Sequence, residues 1–293
     1  MLRTCATALC VALCCALSAC TTDTAGPPRA EPGRTGPVTA AERSLLYDAE
    51  QALVQRCMQR RHFTVWKVPE HPVPDARQFP YVLDDVGWAK EHGYGSDLER
   101  RVRALQESDP NKRYARALSP ERRAAALTAL HGGRPYDLRV KLRSGAEVTR
   151  SSEGCVAQAE SELYGDVATW FRAEAVTQEL SAERRRSVVG DPAFRAAVAS
   201  WSACMRERGL RHADPDTARA RFTSPSGTPS RRLEIRTAVA EARCAADSEL
   251  AATADRLDRH RSAVLRATYA VIRDRDRLQK TALPRARSAL AAE

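Results

Sequence analysis

The chain has 293 residues, 43% of them hydrophobic but only 5% aromatic, which is enough for a sizeable core as one large domain or two small ones. The apolar share leans on Ala, so the expected core is helix packed on helix. The formal charge is +10 from 47 basic and 37 acidic residues; five of the basic residues are Lys, at 67, 90, 112, 141 and 280, and such an Arg- and Ala-rich bias reflects a GC-rich coding sequence more than a function.

At the N-terminus, Arg3 precedes an apolar run from Cys5 to Ala19, about 15 residues against the ~20 needed to span a bilayer. It closes on Leu17-Ser18-Ala19-Cys20, the lipobox pattern in which the Cys thiol takes a diacylglycerol and a peptidase cuts before it. Residues 1–19 therefore read as a signal peptide and Cys20 as the lipidated first residue of the mature chain. A retained anchor and a cleaved leader without lipid are the alternatives. Two acyl chains suffice for stable anchoring where one does not. The expected location is the outer face of the bacterial cytoplasmic membrane, with membrane lipid as the first partner. That address argues against a nucleic-acid partner despite the charge. Residues 20–38, rich in Pro, Gly and Thr, have no apolar period and read as a lipidated, disordered tether.

The body divides by pattern into a first helical module over 39–180 and a second over 181–293. Thr39-x-x-Glu42 is a capping box, and Leu46, Leu53, Val54, Cys57 and Met58 then share one helical face up to about His62. Residues 64–95 are loop-rich and hold Trp66 and Trp88; within them, Asp84 is the expected N-cap of a short helix. Ser96-x-x-Glu99 predicts the next cap, and Asp109-Pro110 and Ser119-Pro120 each place Pro just inside a helix start. From Tyr136 to Ser151 the period changes to two, around a Ser144-Gly145 turn, which predicts a β-hairpin. One long helix is expected from Gly154-Cys155 through Phe171, and another from Asp191-Pro192 to Gly209. The Pro/Ser/Gly-rich stretch 213–230 reads as loop. From Arg232 to Leu278 the pattern predicts one unbroken helix, with apolar residues stepping by six or seven. Its basic, amphipathic portion Arg256–Lys280 suits a membrane surface or a partner helix, but packing back on the body is favoured.

Five of the nine Cys (5, 10, 14, 15 and 20) belong to the leader and lipobox. Cys57, Cys155, Cys204 and Cys244 remain, an even number in an oxidising compartment, which predicts two disulfides among three possible connectivities. Internal similarity favours one of them. Cys57-Met58 parallels Cys204-Met205, and Cys155-x-Ala with its downstream Ser-Glu-Leu parallels Cys244-x-Ala with its own. Each module then closes on itself, Cys57 with Cys155 and Cys204 with Cys244. The fold class expected is mainly α, a bundle of two related modules with one small hairpin and two disulfides.

These residues carry a resemblance. Ala49-Glu50-x6-Cys57-Met58, Phe79-Pro80-Tyr81, Gly93-Tyr94-Gly95, Leu118-Ser119-Pro120, Gly154-Cys155-x3-Ala159-Glu160, Trp201-x2-Cys204-Met205-x3-Gly209 and Ala238-x-Ala240-x3-Cys244 together resemble a group of actinobacterial extracytoplasmic lipoproteins of uncharacterised function, over about residues 42–250. The resemblance assigns no catalytic residue. The first module has Val54 where the second has Trp201.

Chemistry-bearing motifs are sparse. The sequence holds no Cys-x-x-Cys, no His-x-x-x-His, no Gly-x-Ser-x-Gly, no P-loop and no dinucleotide fingerprint, so no metal site, cofactor or catalytic residue is assigned. Asp84-Asp85 beside Trp88 is the best small-molecule candidate, because carboxylates next to an aromatic suit a sugar or a cation. The expected function is a membrane-anchored, non-enzymatic envelope protein that binds another protein or a cell-wall polymer. The alternative is an envelope enzyme acting on wall polymers through Asp84 or Asp85.

Overall fold

The computed structural model describes residues 36–223 and 229–292. The signal peptide, Cys20 and most of the tether lie outside these residues. In chain order the elements are α1 (Ala40–Arg60), α2 (Val86–His92), α3 (Ser96–Glu107), α4 (Pro110–Ala117), α5 (Pro120–His131), β1 (Leu138–Lys141), β2 (Glu147–Arg150), α6 (Gly154–Tyr164), α7 (Val167–Val189), α8 (Pro192–Glu207), α9 (Pro215–Thr223), α10 (Arg231–Asp247), α11 (Leu250–Thr268) and α12 (Ala270–Ala291). The fold is mainly α, with one antiparallel hairpin that pairs Leu138 with Arg150 and Val140 with Val148.

Local chemistry sets most helix starts. Thr39 and Glu42 form the reciprocal box, the Glu42 amide donating to Thr39 Oγ1 (3.2 Å) and the Thr39 amide to Glu42 Oε2 (2.7 Å). Asp109, Ser119 and Asp191 cap α4, α5 and α8 ahead of Pro, whose missing N–H costs nothing there. Four starts depart from the sequence reading. Asp85, not Asp84, caps α2. At α3 the cap is Gly95, in the left-handed region at φ 89°, and the Ser96 hydroxyl instead donates to Glu234 Oε2 at 2.6 Å. Helix α9 forms inside the stretch read as loop, with Asp214 Oδ1 accepting from the Thr217 amide at 2.7 Å. The helix expected from Gly154 stops at Gly165 (φ 90°), and Asp166 caps a new one, α7.

The long C-terminal helix is also three helices, α10, α11 and α12. The helix is broken at Glu249, a non-glycine residue at φ 56°, and again at Tyr269, which is extended; α11 and α12 both run antiparallel to α7, through the Arg184–Asp258 and Glu174–Arg275 pairs. An unbroken helix over that length would extend about 70 Å at 1.5 Å per residue, and the two breaks let α10 and α11 pack on α8 while α12 packs on α1. The six-or-seven stepping does not survive: Leu250 and Leu257 are buried, but Val264 is 44% exposed.

Two buried clusters form. One gathers Leu46, Leu53, Cys57, Met58, Cys155 and Leu163 from α1 and α6, with Ala282, Leu283 and Ala286 from α12. The other gathers Trp201, Met205, Cys244 and Leu250 around α8, α10 and α11, with Phe79, Val82 and Leu83 from the loop before α2. Each cluster contains one disulfide-distance pair: Cys57 and Cys155 with Cα atoms 5.5 Å apart, and Cys204 and Cys244 at 5.7 Å. Packing crosses the 180/181 boundary drawn from sequence in both directions. The last helix completes the first cluster, and the 79–94 segment completes the second. Helix α12 runs along α1 in the same direction, with Lys280 Nζ on Glu42 Oε2 (2.8 Å) and Arg56 Nη1 donating to the Ala289 carbonyl (2.8 Å). The basic segment 256–280 therefore packs on the body. No helix among the described residues is long and apolar enough to cross a membrane.

Candidate functional site

The Asp84-Asp85-Trp88 constellation is taken up by local structure. Asp85 Oδ1 accepts from the Trp88 amide at 2.9 Å, and Oδ2 meets Arg77 Nη1. The backbone hydrogen bond from Trp88, and then Arg77, hold the Asp85 carboxyl below its ordinary value. Trp88 Nε1 donates to the Asp75 carbonyl (2.9 Å), and its ring packs between Phe79 (4.9 Å) and His92 (5.3 Å). Asp84 is exposed and makes no hydrogen bond or ion pair among the described residues. The two carboxylates converge on nothing.

Behind this loop lies a buried polar latch. Glu241 Oε1 accepts from the Leu83 amide (2.9 Å) and Oε2 from the Tyr94 hydroxyl (2.6 Å). Glu234 Oε1 accepts from the amides of Tyr94 (3.0 Å) and Ser96 (3.3 Å), and Arg231 Nη1 lies 3.1 Å from Oε2. Burial raises the Glu241 carboxyl to about 7 against its hydrogen bonds, which act the other way. Gly93, at φ 60°, is required here: a Cβ would lie 2.9 Å from the Glu234 side chain. With both carboxylates satisfied from within, the latch fastens the 79–96 segment to α10 and offers nothing to a ligand.

The arrangement best suited to a ligand is elsewhere. A cleft of about 420 Å³ opens between α1, the extended segment 64–68, α4 and α5, within the usual range for small-molecule sites. Val54 and Met58 of α1, with Leu130 of α5 and Val156 of α6, form much of its apolar lining. Trp66 and Tyr114 meet edge to face at 5.8 Å on another wall. Three lining apolar residues remain open to solvent, Trp66 and Val68 at 39% and Leu127 at 54%.

The walls are held by side chains bonded to main chain. Segment 64–68 has no strand partner among the described residues; instead Gln55 Nε2 donates to the Val65 carbonyl (2.7 Å) and the Tyr47 hydroxyl to that of Val68 (2.9 Å). Asn111 mimics a peptide against Trp66, accepting from its amide and donating to its carbonyl, both at 2.9 Å. Arg123 reaches from α5 to the C-terminal carbonyls of α4 at Ala115 (2.7 Å), Arg116 and Leu118 (both 3.2 Å). Helix α4 buries no residue of its own.

One ionisable group in the lining stands apart. Glu50 has neither a hydrogen bond nor an ion pair among the described residues, though neighbouring carboxylates do: Glu160 is paired with Arg150, and Glu174 with Arg275. Burial, and then the charge of Glu160, push the Glu50 carboxyl up to about 7. Burial and these carboxylates also raise Tyr164, which stacks on Trp170 at 3.6 Å. Near neutral pH, Glu50 can therefore take up a proton or pair with a positive charge. No cluster of His, Cys, Asp and Glu capable of holding a metal occurs among the described residues. The sequence reading singled out neither Glu50 nor the cleft as a site. The available signal was a carboxylate on the apolar stripe of α1, four residues after Leu46 and three before Leu53. Compared with protein-family models, with curated proteins and with solved structures, the chain matches none.

Proposed function

We propose that this is a lipid-anchored envelope protein that binds rather than converts its ligand, held on the outer face of the cytoplasmic membrane by acylated Cys20. The observation that carries the reading is the Leu17-Ser18-Ala19-Cys20 lipobox with the Pro/Gly/Thr-rich stretch behind it. The resemblance to actinobacterial extracytoplasmic lipoproteins supports it, as does a body clamped at two Cys pairs, in keeping with an oxidising compartment. A binding role draws support from the cleft, whose lining is mostly apolar and includes a single carboxyl, Glu50. Of the two residues on which the enzyme reading leaned, Asp84 or Asp85, the second is occupied as a helix cap and by Arg77.

Intact-mass analysis of protein from its native host, with membrane fractionation, tests the proposal. The expected result is a chain beginning at a diacylglyceryl-modified Cys20 and recovered with membranes, while Cys20→Ala abolishes the modification. An unmodified Cys20, or four free body thiols, overturns it.

A further inference from the structure

We infer that the cleft between α1 and α4–α5 binds a hydrophobic cation, an ammonium group carrying an alkyl or aryl body, with Glu50 as its counter-ion and the Trp66–Tyr114 pair beside it. This deepens the binding role proposed above and rests on that reading.

The charge balance around Glu50 is the starting point. Glu50 of α1, Glu160 of α6 and Glu174 of α7 stand against two guanidiniums, Arg150 of β2 and Arg275 of α12, each already paired with one of the other two carboxylates. One negative charge is left over, at the carboxyl that lines the cleft. A carboxylate drawn out of water without a partner is costly, and a cation of matching reach removes that cost. The remaining ionisable neighbours do not supply it. The Tyr47 and Tyr164 hydroxyls carry no positive charge, and the Arg123 guanidinium is committed to three carbonyls of α4. Lys112, the other cation of the lining, is exposed.

The rest of the lining selects the ligand body. Apolar side chains from α1 and α5 suit a hydrocarbon, and an indole and a phenol at the mouth suit an ammonium group through their ring faces. A fatty acid would bring a second carboxylate to Glu50, and a neutral amphiphile would fill the cleft but leave the charge unpaired.

The test titrates the full mature chain, made as the non-acylated Cys20→Ser form, with octyltrimethylammonium, octan-1-ol and octanoate at pH 8, each below its micellar range. The cation should bind at least about tenfold tighter than octanoate, with the alcohol between. Glu50→Gln should bring the cation down to the level of the alcohol while the alcohol still binds. With the Glu50 carboxyl at about 7, affinity for the cation, which does not itself titrate, should fall roughly tenfold between pH 8 and pH 6. Leu127→Arg, at a rim position remote from the core, should weaken the cation most. Octanoate binding as tightly as the cation, a cation preference that survives Glu50→Gln, or failure of all three probes to bind overturns the inference. Failure here is separable from failure of the anchoring: an acylated, membrane-held protein indifferent to the cation sinks only the ligand assignment, and cation binding by a chain found unmodified at Cys20 in its host sinks only the anchor.

Discussion

Glu50 and Glu241 are both carboxyls raised to about 7 by burial, yet they differ in what the fold gives them. Glu241 receives two hydrogen bonds from a segment it holds in place, so Glu241→Ala strands the Leu83 amide and the Tyr94 hydroxyl and should cost about 2–4 kcal/mol in urea unfolding. Glu50 receives none, and its ionisation works against folding. Its carboxyl rises from an ordinary 4.5 to about 7 in the native state, so between those values the folded chain holds more proton than the unfolded one. Stability from this group therefore falls as pH rises through the window, and the loss is complete above it. Glu50→Gln removes the loss. The variant should gain on the order of 1–2 kcal/mol at pH 8, allowing for partial solvation, and little at pH 4.5. Equal gains at both pH values would show that the carboxyl is not the cause.

At the level of elements, the sequence was most legible where a side chain acts on its own neighbours. The Thr39–Glu42 box, the Asp-Pro and Ser-Pro starts and the two-residue period of the hairpin all appear as expected. It was least legible where distant parts decide. Ser96 has the spacing of a cap, but Glu234, far along the chain, claims its hydroxyl, and glycine takes the cap position instead. The break at Ser248-Glu249 has neither Gly nor Pro to announce it, and beyond it α11 packs on α7 and α8. Gly93-Tyr94-Gly95 serves the latch on α10, whereas Phe79-Pro80-Tyr81 is held by Trp88, Arg185 of α7 and Asp258 of α11, none of them near it in sequence except Trp88. The cleft was hidden for the same reason: its walls come from five separate segments, and the sequence places only α1 beside Glu50. Helix α12 was legible as helix only to Leu278, and not as a wall of the first cluster. Removing residues 270–293 uncovers α1 and deletes the Lys280–Glu42 pair. The truncated chain should lose its cooperative thermal transition, whereas an independent arm would leave that transition intact.

Across the whole molecule, the cystines and the interleaved packing address the same problem. Aromatic residues are few and much of the buried surface is Ala, so each helix contact contributes modestly and covalent closure matters more. The Cys57–Cys155 pair closes a separation of 98 residues and Cys204–Cys244 one of 40. Loop-closure entropy then gives about 4–5 kcal/mol for the first and about 4 for the second. Replacing both partners of either pair with Ser should lower the urea midpoint, slightly more for the first, with a steeper slope because the unfolded chain, freed of the cross-link, exposes more surface. Internal similarity made the pairing legible from sequence. It did not reveal the exchange of segments between the two clusters, since repeats report ancestry and not which surface covers which.

That exchange has a bearing on biogenesis. Because α12 lies along α1, the opening helix can meet α5 and α6 as soon as they are made but lacks one wall of its cluster until residues 270–291 have followed. A nascent chain made amino end first must therefore leave part of that greasy stripe bare until then, which delays completion of the first cluster.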